Sequence, residues 1–192
     1  MTGFEYGETA VLVEHPEPSR LWMALRHLPG LDEVVPAAET VLLMGPRARD
    51  IAERLDEFDL PSLPSDDDVV EIHVSYDGPD LEETAQATGM TVDQLIELHA
   101  SADYRVAFNG FAPGFPYLSG LPEQLRLPRR SNPRTRVPAG SVAIAGEWCG
   151  IYPTESPGGW HLLGHTDAFL FDAQRIPPVL LPPGTRVRLR AC

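Results

Sequence analysis

The stretch Val70-Glu-Ile-His-Val-Ser-Tyr76 decides the predicted fold of the first part of the chain. Apolar and polar residues alternate along it, which is the pattern of a strand with one buried face. Upstream, apolar periodicity predicts a strand, a helix, two strands and a second helix, at about residues 9–14, 21–28, 31–35, 40–44 and 48–58. The stretch completes the order β-α-β-β-α-β, so we expect a ferredoxin-like split βαβ domain over residues 1–77.

Two short helices are predicted next, as a helical connector over residues 78–102. Asp80 is the predicted cap of the first helix, with Glu83 three residues further on. Thr91 and Gln94 have the spacing of a capping box at the start of the second helix. These signals predict helices and carry no information about chemistry.

The composition of the chain changes at Tyr104. Residues 103–192 hold twelve of the 20 prolines, and Pro/Gly turns separate short apolar runs. Many short strands with such turns are typical of an all-β barrel or sandwich. The sequence therefore predicts an α+β protein, with the ferredoxin-like domain first and a β-rich domain over residues 103–192.

Charge and composition exclude several functions. The formal net charge is −13 at pH 7, so we expect no binding to nucleic acid, whose phosphates repel the chain. The sequence contains no lysine, which excludes a P-loop lysine, a Schiff-base nucleophile and an attached biotin. It also has no apolar run of roughly 20 residues and no signal-peptide pattern, so we expect a cytoplasmic protein without membrane contact.

Four loop segments rich in glycine, proline and aromatic residues are candidate site elements. They are Phe108-Asn-Gly-Phe-Ala-Pro-Gly-Phe-Pro-Tyr117, Pro128-Arg-Arg-Ser-Asn-Pro-Arg-Thr-Arg-Val-Pro-Ala-Gly-Ser141, Gly150-Ile-Tyr-Pro153 and Ser156-Pro-Gly-Gly-Trp160. Proline stiffens such loops, and glycine lets a ligand or another backbone approach closely. The alternative interpretation is that they are only tight turns at the corners of a barrel.

Arg129, Arg130, Arg134 and Arg136 form the densest basic cluster. A guanidinium binds a carboxylate or a phosphate through two parallel hydrogen bonds. We assign Arg134 and Arg136, beside the turn at residues 137–140, to anion binding. We assign Arg129 and Arg130 to ion pairs with acidic residues of this chain or of a partner.

The other chemically active side chains give no catalytic constellation. His161 and His165 lie four residues apart in a strand-like pattern, so about 13 Å separates them and we expect no metal site. Ser141 has no Ser-His-Asp order around it, and Cys149 is expected to be a small buried side chain. The catalytic residues stay unknown at this point.

The chain from about residue 70 to residue 187 carries a set of specific motifs. They are Gly110-Phe-Ala-Pro-Gly-Phe-Pro-Tyr-Leu118, Pro128-Arg129, Pro133-Arg-Thr-Arg-Val-Pro-Ala-Gly-Ser141, Gly150-Ile-Tyr-Pro153, Ser156-Pro-Gly-Gly-Trp160 and Leu170-Phe-Asp172. They closely resemble the carboxyltransferase-domain family, which includes the B-type subunit of bacterial 5-oxoprolinase and proteins labelled allophanate hydrolase subunit 1. The chain departs from the family pattern at His165, where arginine is common, and at Trp148-Cys149, where threonine is common before the glycine.

The resemblance implies an α/β domain followed by a cyclophilin-like β-barrel. It implies two partners, a homologous C-type subunit and a further A-type subunit, which with this chain would hydrolyse a small-molecule amide, 5-oxoproline, to glutamate at the expense of ATP. Because the chain has no lysine, we expect the ATP site on one of these partners and no activity from this chain alone. Two alternatives stay open from the same resemblance: a non-catalytic regulator of a histidine kinase, and a component of a urea or allophanate pathway.

The site residues are predicted from these loops and from the resemblance together. We expect the loops at residues 111–117, 134–141 and 156–160 to converge on one face of the barrel, in a pocket or at the joint with the C-type partner. The predicted substrate-binding residues are Phe115, Arg134, Arg136, Ser141, Gly158, Gly159 and Trp160.

Overall fold

A four-stranded antiparallel sheet and two helices make up the first of two compact units, Met1–Pro64 and Ser65–Cys192. The computed structural model describes residues 3–63 and 69–192. The elements of the first unit are β1 (Gly3–Glu5), β2 (Ala10–Glu14), α1 (Pro18–Leu25), β3 (Glu33–Pro36), β4 (Thr40–Met44) and α2 (Ala48–Glu53). Leu21 and Leu25 of α1 and Ile51 of α2 share one buried core with Val41 and Leu43 of β4.

The strand order of this sheet, β1-β2-β4-β3, is the ferredoxin-like order with one substitution. In a split βαβ unit the last strand would occupy the edge position beside β2. Here β1 occupies that position. The predicted last strand exists as β5 (Val69–Val74), but it pairs in parallel with β13 (Arg186–Ala191) of the second unit. The predicted boundary at residue 77 is therefore wrong, because alternation fixes which face of a strand is buried and not which strand it pairs with.

The second unit is a seven-stranded sheet with two helices and a short two-stranded ribbon. Its elements are β5, α3 (Leu81–Thr88), α4 (Val92–Ser101), β6 (Tyr104–Asn109), β7 (Pro116–Ser119), β8 (Arg134–Val137), β9 (Ser141–Ala145), β10 (Trp148–Ile151), β11 (Ser156–Gly158), β12 (His161–His165) and β13. The sheet order is β12-β9-β10-β7-β6-β13-β5, and β8 pairs with β11. Helices α3 and α4 belong to this unit, so residues 78–102 are part of it and not a separate connector.

The two ends of the seven-stranded sheet meet, so the sheet nearly closes into a barrel. Ser75 and His165 exchange both backbone hydrogen bonds, each at 2.9 Å. Gly164 makes this approach possible, because an added Cβ there would clash with the Ser75 carbonyl oxygen. The mixed α+β class and the barrel are confirmed.

The helix signals in the sequence had different outcomes. The capping box is confirmed: Thr91 Oγ1 accepts from Gln94 N–H at 3.2 Å, and Thr91 N–H donates to the Gln94 side chain at 2.9 Å. Asp80 occupies the N-cap position of α3 as predicted, but its side chain makes no cap hydrogen bond to the helix. Within residues 3–63 and 69–192, every helix is too short or too polar to span a bilayer.

Candidate functional site

Asp80 is the centre of a buried ion-pair network in the second unit. The Arg134 guanidinium contacts both carboxylate oxygens of Asp80, at 2.6 and 2.8 Å. Arg130 donates to Asp80 Oδ1 at 2.7 Å, and the Leu162 N–H of β12 donates to Oδ2 at 2.8 Å. Burial acts to raise the pKa of Asp80, but the hydrogen bonds from Arg134 and Leu162 and the charges of the two arginines outweigh it and lower the pKa.

Three of the four clustered arginines therefore have carboxylate partners. Arg130 also binds Glu83 at 2.8 Å, which confirms its predicted ion pair. Arg136 pairs with Glu155 at 2.6 Å, although 76% of its side chain is exposed. Anion binding by Arg134 and Arg136 stays a prediction, and it would have to compete with these carboxylates.

Arg129 differs from the other members of the cluster. Its side chain makes no ion pair or hydrogen bond with any residue in 3–63 or 69–192, so the ion pair predicted for it is not found there. The residue is exposed to solvent. Of the four guanidinium groups, this one is available to a ligand.

One cavity, which we call the imidazole cleft, holds three of the predicted site residues. It has a volume of about 460 Å³ and is lined by Arg134, Arg136 and Ser141 together with Asp77 and His165. Asp77 Oδ1 lies 2.8 Å from His165 Nδ1. A carboxylate only accepts, so Nδ1 carries a proton; in the neutral form of the imidazole Nε2 is then an acceptor, an arrangement that suits proton transfer.

Ser141 does not join this pair. It lies opposite His165 in the β9–β12 register. Its hydroxyl donates instead to the Pro138 carbonyl at 2.8 Å. The hydroxyl therefore helps to fix the turn before β9, and no Ser-His-Asp relay is formed.

A second cavity, which we call the aromatic cleft, holds the other four predicted residues. It is lined by Phe111, Phe115, Tyr117, Arg129, Tyr152, Pro157, Gly158, Gly159 and Trp160, with a volume of about 70 Å³. Phe115 packs edge-on against Tyr152 and Trp160, with ring centroids 5.0 and 5.5 Å apart. Such edge-to-face contacts hold the ring walls at fixed angles.

Phe111 forms the outer part of this cleft and has an unusual backbone. Its φ is +66°, a left-handed conformation that bulky residues rarely adopt. Its ring is 61% exposed and contacts Phe115 and Tyr152 edge-on. An exposed aromatic ring held in a strained turn beside a cavity is typical of a residue retained for binding.

The predicted convergence of three loops on one site is thus divided between two clefts. Arg134, Arg136 and Ser141 line the imidazole cleft, whereas Phe115, Gly158, Gly159 and Trp160 line the aromatic cleft. The two clefts adjoin at the β8–β11 ribbon, where Arg134 is the register partner of Gly158. Substrate binding by these seven residues stays a prediction.

The predicted site residues leave out several polar and aromatic residues of the two clefts, namely Asp77, Phe111, Tyr117, Arg129, Tyr152 and His165. Tyr117 and Tyr152 fall within the glycine- and proline-rich loop segments, and this placement was the available signal. Asp77 and His165 are 88 residues apart, so nothing local indicates their contact.

A further polar cluster lies in the core of the second unit. His99 is fully buried, with Nδ1 at 2.7 Å from the Tyr76 hydroxyl and Nε2 at 3.5 Å from Cys149 Sγ. Burial lowers the pKa of His99 to about 3 and raises the pKa of the Cys149 thiol. Both groups are therefore uncharged at pH 7, and the prediction of a small buried side chain at Cys149 is confirmed.

Comparison with known proteins agrees with this architecture. The model of the carboxyltransferase domain, subdomain C and D, matches residues 4–181. The chain belongs to the carboxyltransferase domain family. A curated relative, the B-type subunit of 5-oxoprolinase from Escherichia coli O157:H7, is 44% identical over an alignment 200 residues long, which covers 95% of this chain and 92% of that protein.

Solved structures extend the comparison. The crystal structure of TTHA0988 is 39% identical, with a TM-score of 0.82 over 95% of this chain. This chain spans only 40% of the TTHA0988 chain. The Kluyveromyces lactis urea amidolyase matches 99% of this chain with a TM-score of 0.72 at 18% identity, which shows a shared fold.

Proposed function

We propose that this chain is the B-type subunit of an ATP-dependent 5-oxoprolinase, which opens 5-oxoproline to glutamate together with partner subunits. The observation that carries the proposal is the 44% identity to a B-type 5-oxoprolinase subunit over nearly the full length of both chains. A match of that extent supports the same place in the same kind of assembly. The relative's name designates one of several subunits, which supports the presence of partners; we take these to be a homologous C-type subunit and an A-type subunit.

The reaction needs a driving force and a catalytic group that are not assigned to this chain. Hydrolysis of the lactam breaks the ring C–N bond, with water supplying hydroxyl to the carbonyl carbon and a proton to the nitrogen. Amides resist this step, and ATP hydrolysis in the complex would supply the driving force. The chain is assigned no catalytic residue, although the Asp77-held imidazole of His165 is a group able to transfer a proton.

Two features of this chain argue against an ATP site on its paired arginines or in the aromatic cleft. The chain has no lysine, and Arg130, Arg134 and Arg136 are already paired with carboxylates. The aromatic cleft, at about 70 Å³, is far smaller than the several hundred Å³ of pockets that hold drug-sized ligands. We therefore place the nucleotide on a partner and assign this chain a part in binding the lactam. The cytoplasmic location expected from the sequence stays a prediction.

The test is reconstitution from separately purified proteins. We expect ATP-dependent glutamate release from 5-oxoproline only when this chain is mixed with its A-type and C-type partners, and none from this chain alone. Omission of this chain from the mixture is the matched control. Steady turnover by this chain alone, or full turnover without it, contradicts the proposal.

A further inference from the structure

Arg129 is held in place by both of its chain neighbours. The Pro128 carbonyl accepts from His161 Nε2 at 2.9 Å, and the Arg130 N–H donates to the Gly159 carbonyl at 2.8 Å. The Arg130 side chain is itself anchored to Asp80 and Glu83. The backbone that carries Arg129 is therefore fixed against the segment that ends at Trp160, while its own guanidinium is unpaired among the described residues.

Two glycines make room for the rings of the aromatic cleft. An added Cβ at Gly150 would lie 2.8 Å from Phe115 and 2.9 Å from Trp160. An added Cβ at Gly158 would clash with the Tyr152 hydroxyl. Aromatic rings therefore pack directly against the backbone at these two positions. The size of the cleft depends on the absence of a side chain there.

The tyrosines of the cleft supply polar groups. Neither the Tyr117 nor the Tyr152 hydroxyl has a hydrogen-bond partner in the part of the chain that the structure describes. Burial raises the pKa of both phenols, and the charge of Arg129 only partly opposes this. Both phenols therefore stay protonated at neutral pH and can donate a hydrogen bond to a carbonyl oxygen.

The size of the cavity limits the ligand. A volume of about 70 Å³ admits roughly five to seven water-sized groups. A five-membered lactam ring with its carbonyl oxygen has six non-hydrogen atoms. A nucleotide or an extended polar chain does not fit within such a volume.

We propose that the aromatic cleft binds a small-ring lactam carboxylate, with the ring against the exposed Phe111 side chain, the carboxylate on Arg129 and the lactam carbonyl near the phenols of Tyr117 and Tyr152. This assignment rests on the proposed function for the identity of the ligand. It moves the anion contact from Arg134 and Arg136, which are paired with Asp80 and Glu155, to Arg129. The contact is charge-assisted, and a guanidinium can make it in a bidentate way.

The experiment measures binding to the full chain directly, without turnover. 5-Oxoproline and 2-pyrrolidinone, which lacks the carboxylate, are titrated by calorimetry into the wild type and the Arg129→Ala, Arg129→Lys, Tyr117→Phe and Arg126→Ala variants. Arg126 is the matched control, because it is an exposed arginine nearby whose only ion pair, in the described residues, is with Glu123. Circular dichroism of each variant establishes that it is folded.

We expect the wild type to bind 5-oxoproline more tightly than 2-pyrrolidinone. Arg129→Ala should weaken 5-oxoproline binding about 10- to 150-fold, with no effect on 2-pyrrolidinone. Tyr117→Phe should weaken both ligands about 2- to 12-fold, and Arg126→Ala should match the wild type.

Three results would overturn the assignment. In the first, the folded wild type does not bind 5-oxoproline at millimolar concentration. In the second, Arg129→Ala and Arg126→Ala bind 5-oxoproline with equal affinity. In the third, the wild type binds 5-oxoproline and 2-pyrrolidinone with equal affinity. None of these results bears on the proposed function, which is tested by glutamate release from the reconstituted complex. Conversely, a complex that binds 5-oxoproline through Arg129 but releases no glutamate would refute the function and leave the site intact.

Discussion

Arg134 and Asp80 form a two-point ion pair, with N–O distances of 2.6 and 2.8 Å, that joins β8 to the residue before α3. Only 2% of the Asp80 side chain is exposed. The same carboxylate holds Arg130 and the Leu162 N–H of β12, so three separate segments depend on one buried charge. Removing Asp80 would leave two largely buried guanidinium groups without this carboxylate.

We expect Asp80→Ala to lower the free energy of unfolding by about 3–5 kcal/mol, because Arg130, Arg134 and the Leu162 N–H would all lose an acceptor. Chemical denaturation of the full chain measures this. Arg136→Ala is the control: its pair with Glu155 is largely exposed, so its loss should change stability by less than about 1 kcal/mol. Equal stability of the two variants would show that Asp80 is not the organising charge.

Gly150 sets the depth of the aromatic cleft. We expect Gly150→Ala to cost about 1–3 kcal/mol of stability, because the added methyl group would press on Phe115 and Trp160 in a packed core. We also expect it to abolish ligand binding in the cleft. Gly110→Ala is the matched control, since its nearest neighbours would lie at 3.7–3.8 Å, an ordinary contact distance. A stable Gly150→Ala variant with wild-type affinity would refute this account of the cavity.

The sequence predicted well those structural features that depend on residues close together in the chain. The capping box at Thr91 and the alternating strand at β5 both follow from residues within a few positions of one another. The pairing of β5 with β13 does not follow from local residues, because β13 begins more than a hundred residues later. The sheet of either unit has an edge strand with which β5 could pair. A ferredoxin-like order and a β-barrel were therefore predictable, while the boundary between them was not.

The same distinction applies to the site. The four loops were recognisable by composition, and all seven predicted site residues line one of the two clefts. Which arginine is available depends on acidic residues far along the chain: Asp80 is 54 residues from Arg134 in sequence. Four neighbouring arginines look alike in a sequence, and only tertiary contacts distinguish Arg129 from the others.

The two thiols should differ in reactivity. Cys149 is fully buried and burial raises its pKa, whereas Cys192 is exposed. Because the thiolate is the reacting species, we expect a thiol reagent to label one cysteine in the native chain and two in denaturant. Cys192→Ser should abolish native labelling. Rapid labelling of folded Cys192→Ser would show that the core around Cys149 opens readily.

His99 should make stability depend on pH in a defined window. Burial lowers the pKa of His99 to about 3 in the folded chain, against about 6.5 for an unfolded histidine. Between these values the unfolded chain binds a proton that the folded chain does not. The free energy of unfolding should therefore fall as the pH drops below about 6.5, by up to about 1.4 kcal/mol per pH unit.

The measurement is the free energy of unfolding at pH 7, 6 and 5, where Asp80, whose pKa is lowered, stays ionised in the folded chain. His99→Gln removes the titrating group, so we expect it to be less stable than the wild type at pH 7 but to lose less stability on acidification. The lower stability of His99→Gln at pH 7 follows from the disturbed contacts with Tyr76 and Cys149. His27→Gln changes an exposed imidazole and should keep the wild-type slope. If His99→Gln and the wild type have the same slope, the acid sensitivity comes from other groups and His99 is not held neutral by its burial.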